Sequence, residues 1–137
     1  MTTHVSAIEG DLIFYSTIDG SVRLEVVYQD ETFWLSQKRM AELFGVDVRT
    51  ISEHRQNIFA TGELEEEATI RNFRIVRNEG GREVARSIEF YHLDAIIAVG
   101  YRVNSRQATQ FRIWATQTLR VYIIKGFVLD DERLKQG

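Results

Sequence analysis

The chain has no cysteine and no proline. Without cysteine there is neither a disulfide framework nor a thiolate metal site. Without proline the usual mark of a linker is missing, and 137 residues suit one domain around one core. No apolar run approaches the roughly 20 residues that span a bilayer. The opening "MTTHVSAIEG" lacks the basic-then-apolar order of a secretory signal. These absences lead us to expect a cytoplasmic protein with no membrane contact.

Catalytic patterns are also missing. The three histidines, His4, His54 and His92, show no H-x-x-x-H spacing for a metal. There is no glycine-rich phosphate loop of the Walker type. Ser52 and His54 are two residues apart, and on a helix such neighbours point different ways. Nothing signals converging groups, so we expect no enzyme, no cofactor and no bound metal. The acidic run "ELEEE" at Glu63–Glu67 reads as a solvated loop or helix start.

What charge there is lies unevenly. The net charge of −3 argues mildly against a nucleic-acid binder. Residues 1–35, however, hold six acids and one arginine, whereas 100–126 hold five basic residues and no acid. An acidic chain distributed this way can still present a positive face. Arginine outnumbers lysine fourteen to three, and its planar fork suits phosphates and guanine edges.

Hydrophobic patterning divides the chain into strands and helices. "DLIFYSTIDGSVRLEVVYQDETFWL" reads as strand, turn, strand, turn, short strand, with Asp19-Gly20 as a hairpin signal. Val22, Leu24 and Val26 alternate with Arg23 and Glu25, as in a half-buried strand. A second hairpin, "TIRNFRIVRNEGGREVARSIEFYHL", turns at Glu79-Gly80-Gly81, with Phe73 and Ile75 on one face and Ile88 and Phe90 in the return strand. "HLDAIIAVGYRV" has helical spacing, and Asn104 and Ser105 break it and can cap the next helix. That last helix places Phe111, Trp114, Ala115, Thr118, Leu119, Tyr122 and Ile123 on one stripe, with Gly126 as its expected stop.

"WLSQKRMAELFGVDVRTISEHRQNIF" reads as two short helices around a glycine corner. Ser36 and Asp47 are N-caps, and Met40, Leu43 and Phe44 share the first helix's apolar face. Ala41 is small where a second helix would cross, Gly45 suits a left-handed turn and Val46 can plug it. Ile51, Ile58 and either Val48 or Phe59 would be inward. His54 departs from the pattern, since an aliphatic residue is expected there. The order suits a DNA-binding helix-turn-helix, and it also suits a plain helical hairpin.

Three stretches carry a family resemblance: "FWLSQKRMAELFGVDVRTISEH", "NIFATGELEEEATIRNFRI" and "FYHLDAIIAVGYRVNSRQATQFRIWATQTLRVYIIKGFVLDDERL". They closely resemble the RhuM family of bacterial proteins, described as virulence-associated or DNA-binding, from about Phe33 to Leu134. A more distant likeness is to the Bro-N and KilA-N domains of viruses and phages, in the order of Met40–Val46, Leu93–Arg102 and Phe111–Leu119. The resemblance implies a DNA-binding module of α+β type. RhuM-like proteins are usually longer, with a helical C-terminal part, which implies that this chain is an N-terminal module or fragment of a longer protein.

The expectation is therefore a single α+β domain over 1–137. It has a helix-turn-helix-like pair and two C-terminal helices packed with short antiparallel β-hairpins. Its expected partner is double-stranded DNA. From the residues themselves, Arg49, Thr50, Ser52, Glu53 and Gln56 would face base edges, while Lys38, Arg39 and Arg55 would touch phosphates. Around "RVNSRQATQ", Arg102, Ser105 and Arg106 would add a phosphate contact at a helix N-terminus, or the junction would simply cap that helix. The alternative is a protein-interaction module, a homodimer or antirepressor-like binder, using Ile113, Val121 and Ile124 off the main stripe of the last helix.

Overall fold

The computed structural model describes residues 11–136, with side chains through Ile123. Three strands open the fold: β1 (Asp11–Ser16), β2 (Arg23–Gln29) and β3 (Thr32–Ser36). The helix pair comes next as α1 (Gln37–Phe44) and α2 (Val48–Ala60). A single turn, α3 (Glu66–Thr69), leads into β4 (Ile70–Glu79) and β5 (Arg82–His92). The chain closes with α4 (Leu93–Val103) and α5 (Ser105–Gln136).

The fold is α+β as expected, but the two hairpins are not separate and the second is not short. They join into one five-stranded antiparallel sheet in the order β1-β2-β3-β5-β4. The joint is the pairing of Trp34 with His92, Leu35 with Tyr91 and Ser36 with Phe90. Because only these residues of β5 meet β3, the outer part of β4–β5 runs on as a two-stranded arm.

Local chemistry explains the turns. After β1 the Asp19 carboxylate accepts the Ser21 N–H at 3.0 Å and the Ser21 and Thr17 hydroxyls at 2.7 Å each. Those donors favour the charged form and pull the carboxyl down to about 2. Between β2 and β3, Asp30 and Glu31 both take positive φ, 53° and 62°, the handedness of a two-residue hairpin turn. Gly80 and Gly81 do the same at the tip of the arm, at 59° and 81°.

One face of the sheet holds Tyr15, Leu24, Val26, Phe33, Leu35 and Tyr91 against the helices. Across that face lies α5. Phe111 and Trp114 meet Tyr15 with ring centroids 5.0 and 4.9 Å apart, and Trp114 stacks on Phe33 at 4.9 Å. The other face carries a smaller cluster of Val27, Trp34, Phe73, Ile75 and Phe90.

Several expectations for the helices need correction. Helix α5 does not stop at Gly126 but continues to Gln136. Ile123 is 44% exposed, so the buried stripe fades near Tyr122, whose ring still meets Tyr28 at 4.8 Å. Phe59, rather than Val48, packs on the core, and Val48 faces solvent. Among the described residues no helix is long and apolar enough to cross a membrane.

Candidate nucleic-acid interface

The helix pair is built by its caps. The Ser36 hydroxyl accepts the Arg39 N–H at 3.3 Å and starts α1. Gly45, at φ 71°, ends it, and the Gly45 and Val46 N–H groups both donate to the Ala41 carbonyl, at 2.9 and 3.1 Å. Two residues later Asp47 starts α2, accepting the Thr50 N–H and the Thr50 hydroxyl, both at 2.8 Å. The backbone N–H contributes most to holding the Asp47 carboxyl below its ordinary range.

Packing leaves much of α2 free. Its fully buried residues are Ile51 and Ile58, seven positions apart on one narrow stripe. Burying each contributes roughly 1.5–3 kcal/mol. Val46 is half-buried under the corner, and His54 is half-buried beside the stripe rather than fully inside it. The flank turned away from the core carries Arg49, Glu53 and Gln56 in solvent, with Ser52 half-buried between them.

The five expected base-facing residues fall into two pairs and a cap. The Arg49 Nε donates to Glu53 at 3.3 Å, and these side chains are 87% and 65% exposed. Gln56 donates to the Ser52 hydroxyl at 3.4 Å. Thr50 spends its hydroxyl on Asp47. Pairs this exposed contribute little stability, so an approaching ligand replaces them at small cost.

The expected phosphate contacts divide differently. Lys38 is exposed, and Arg39 is partly exposed beside Glu42, 3.0 Å away. Arg55 is turned inward: its side chain is only 17% exposed, 3.8 Å from Glu66 and 5.7 Å above the Tyr91 ring. It braces α2 against β5 instead of facing solvent.

At the α4–α5 junction Ser105 and Arg106 are exposed, while Arg102 is bound to Glu63 and to the Ala98 carbonyl. Capping is visible there, since the Asn104 side chain accepts the Gln107 N–H at 3.3 Å. The same amide donates to the Phe44 carbonyl at 3.3 Å, tying this junction to the end of α1. Sequence reasoning gave Asn104 no role in the helix pair, because the partners lie 60 residues apart.

A model of the virulence protein RhuM family matches residues 68–137, just over half of the chain. The chain belongs to the RhuM family. The matched stretch of this RhuM-family chain takes in β4, β5, α4 and α5, and the helix pair lies before it. No curated protein and no solved structure matches the chain.

Proposed function

We propose that this RhuM-family protein binds double-stranded DNA sequence-selectively as a regulator, with α2 lying in the major groove. The observation that carries this reading is the open flank of α2. Glycine-cornered helices with tight caps leave Arg49, Glu53 and Gln56 outward, with Ser52 half-buried between them, on a helix whose fully buried residues are Ile51 and Ile58. An α-helix fits the major groove, and these side chains have the chemistry of base edges: arginine for guanine, glutamine for adenine, glutamate for cytosine. Thr50 adds a hydroxyl at the start of the helix.

Lys38 and Arg39, at the opening of α1, serve phosphates in this reading. Arg106 and Ser105 offer a second anion contact at the start of α5, with Arg102 available once it leaves Glu63. Arg55 has no place in the set. The module binds rather than catalyses.

Selection of duplexes from a random pool, repeated at two salt concentrations, tests the proposal. Enrichment of one shared motif at both supports it, and a pool that stays random overturns it.

A second reading, a homodimer or protein-interaction module, draws on α5. Ile113 and Val121 are 47% and 63% exposed off the buried stripe, while the side chain of Ile124 lies outside the described residues. Sedimentation over a range of concentrations, with and without duplex, separates the two. A dimer that ignores DNA favours the second reading, and a monomer that co-sediments with DNA favours the first.

A further inference from the structure

The arm raises a question that the helix pair does not answer. β4 and β5 pair over ten positions, from Ile70–Tyr91 to Glu79–Arg82. Beyond Phe90 no third strand among the described residues pairs with β5, so 72–79 and 82–89 form a two-stranded ribbon about 25 Å long at roughly 3.4 Å per residue. Apolar support is confined to its base, where Phe73, Ile75 and Ile88 join Trp34 and Val27. The outer pairs, from Arg77–Val84 to Glu79–Arg82, join neither buried cluster among the described residues. A two-stranded ribbon without a buried face is marginal, so the length of its outer part, past Ile75 and Ile88, has no explanation in stability.

Its charge is opposite to that of the whole chain. From Asn72 to Glu89 there are four arginines and three glutamates, with Arg71 at the base, on a protein of net charge −3. Two of the arginines are occupied. Arg71 is bound to Asp30 and lies 4.6 Å over the Trp34 ring, while Arg86 grips Glu79 through two hydrogen bonds of 3.1 and 2.8 Å. Arg74, Arg77 and Arg82 form no direct ion pair with a described residue, while the Arg77 charge also acts on Glu79.

Register separates these three. Arg77 lies opposite Val84 and Arg82 opposite Glu79, which makes Arg77 and Arg82 diagonal neighbours on one face. Arg74, opposite Ser87, is on the other. Arg77 also lines a crevice of about 360 Å³ with Ser36, Lys38 and Ser87, at the opening of α1. Glu89 lines it too and accepts the Tyr91 hydroxyl at 3.0 Å. Glu25 shares an adjoining groove with Arg39 and Arg77 but pairs with neither. The arm thus brings a cation beside Lys38, where the helix pair would meet a phosphate.

We propose that the β4–β5 arm is a second duplex contact, in which Arg77 and Arg82 neutralise phosphates alongside the site read by α2. A two-stranded ribbon is among the shapes that a DNA groove admits, and paired cations on one face suit the regular charges of the backbone. The contact rests on the DNA-binding reading above and adds to it a grip that is independent of sequence.

The test measures binding of the full chain to a fixed duplex, by fluorescence anisotropy over a range of salt. R77Q/R82Q weakens binding to every duplex and flattens the log–log salt slope by about two units, at roughly 0.9 per phosphate contact. R77K/R82K keeps the slope, and R74Q resembles wild type. R82Q alone, at the exposed tip, changes the slope by about one unit without touching the core. If the glutamine variants keep the wild-type slope while R49A still weakens binding to its selected site, the arm contact is wrong and the helix reading stands. If wild type binds no duplex, both are wrong. If R77Q/R82Q alters self-association in sedimentation and leaves DNA affinity unchanged, the arm joins copies of the chain and the proposal is overturned.

Discussion

Gly100 on α4 lies against the ring of Phe44 at the end of α1. A methyl group on Gly100 would sit 2.5 Å from the Phe44 Cζ and 2.8 Å from the Ala108 Cβ. This contact lets α1, α4 and the start of α5 converge beneath the glycine corner. With Phe44 only 2% exposed, its ring has little room to swing aside. Gly100→Ala therefore destabilises the fold. Overpacking costs about 1–3 kcal/mol, and about 1 kcal/mol of helix propensity offsets part of it. Adding Phe44→Leu recovers part of the loss, although Phe44→Leu alone is destabilising. Urea denaturation of the single and double variants measures the coupling.

Asp47 makes the start of α2 depend on pH. Its folded pKa lies below the ordinary 3.8, so its contribution is complete above that value and fades as pH falls through the lower folded value. Asp47→Asn keeps an acceptor for Thr50 but does not titrate. The difference in melting temperature between wild type and D47N is expected to stay level from about pH 6 to the unfolded carboxylate pKa, then shrink as pH falls below it. A difference that stays level to the acid end contradicts the role given to Asp47.

Arg55 and Lys38 are both cations of the helix pair, yet they act on different properties. Arg55→Ala removes a mostly buried side chain from Tyr91 and Glu66 and is expected to cost about 1–2 kcal/mol of stability. The salt dependence of DNA binding stays as in wild type. Lys38→Ala leaves stability nearly unchanged, weakens binding to all duplexes and flattens the salt slope by about one unit. Denaturation and anisotropy on the same two variants check both statements.

Much of the fold was legible because it is locally encoded. Ser36, Gly45 and Asp47 act as punctuation whose chemistry is fixed within three residues, and the structure places each in its expected role. Strand alternation identified Leu24, Val26, Phe73 and Ile75 as inward. Long-range features were not readable. The Trp34–His92 pairing that fuses two hairpins into one sheet, and the Asn104–Phe44 bond, leave no periodic trace. Arg55 has the appearance of a surface cation until α2 is laid beside Tyr91. For the candidate site, helix periodicity located the outward flank. The pairing of Arg49 with Glu53 and of Ser52 with Gln56 comes from i, i+4 spacing and was available in the sequence. The arm was visible as a hairpin but not as a projection, because strand length alone does not tell where a third strand ends.

The central claim, that the open flank of α2 reads a duplex, is tested most directly by Arg49→Ala on a duplex that wild type has selected. Anisotropy is measured on that duplex and on a scrambled one. The account predicts a loss of about 1–3 kcal/mol on the selected duplex, a relaxed preference at one base position and a much smaller change on the scrambled one. Equal affinity of wild type and R49A for the selected duplex would contradict it.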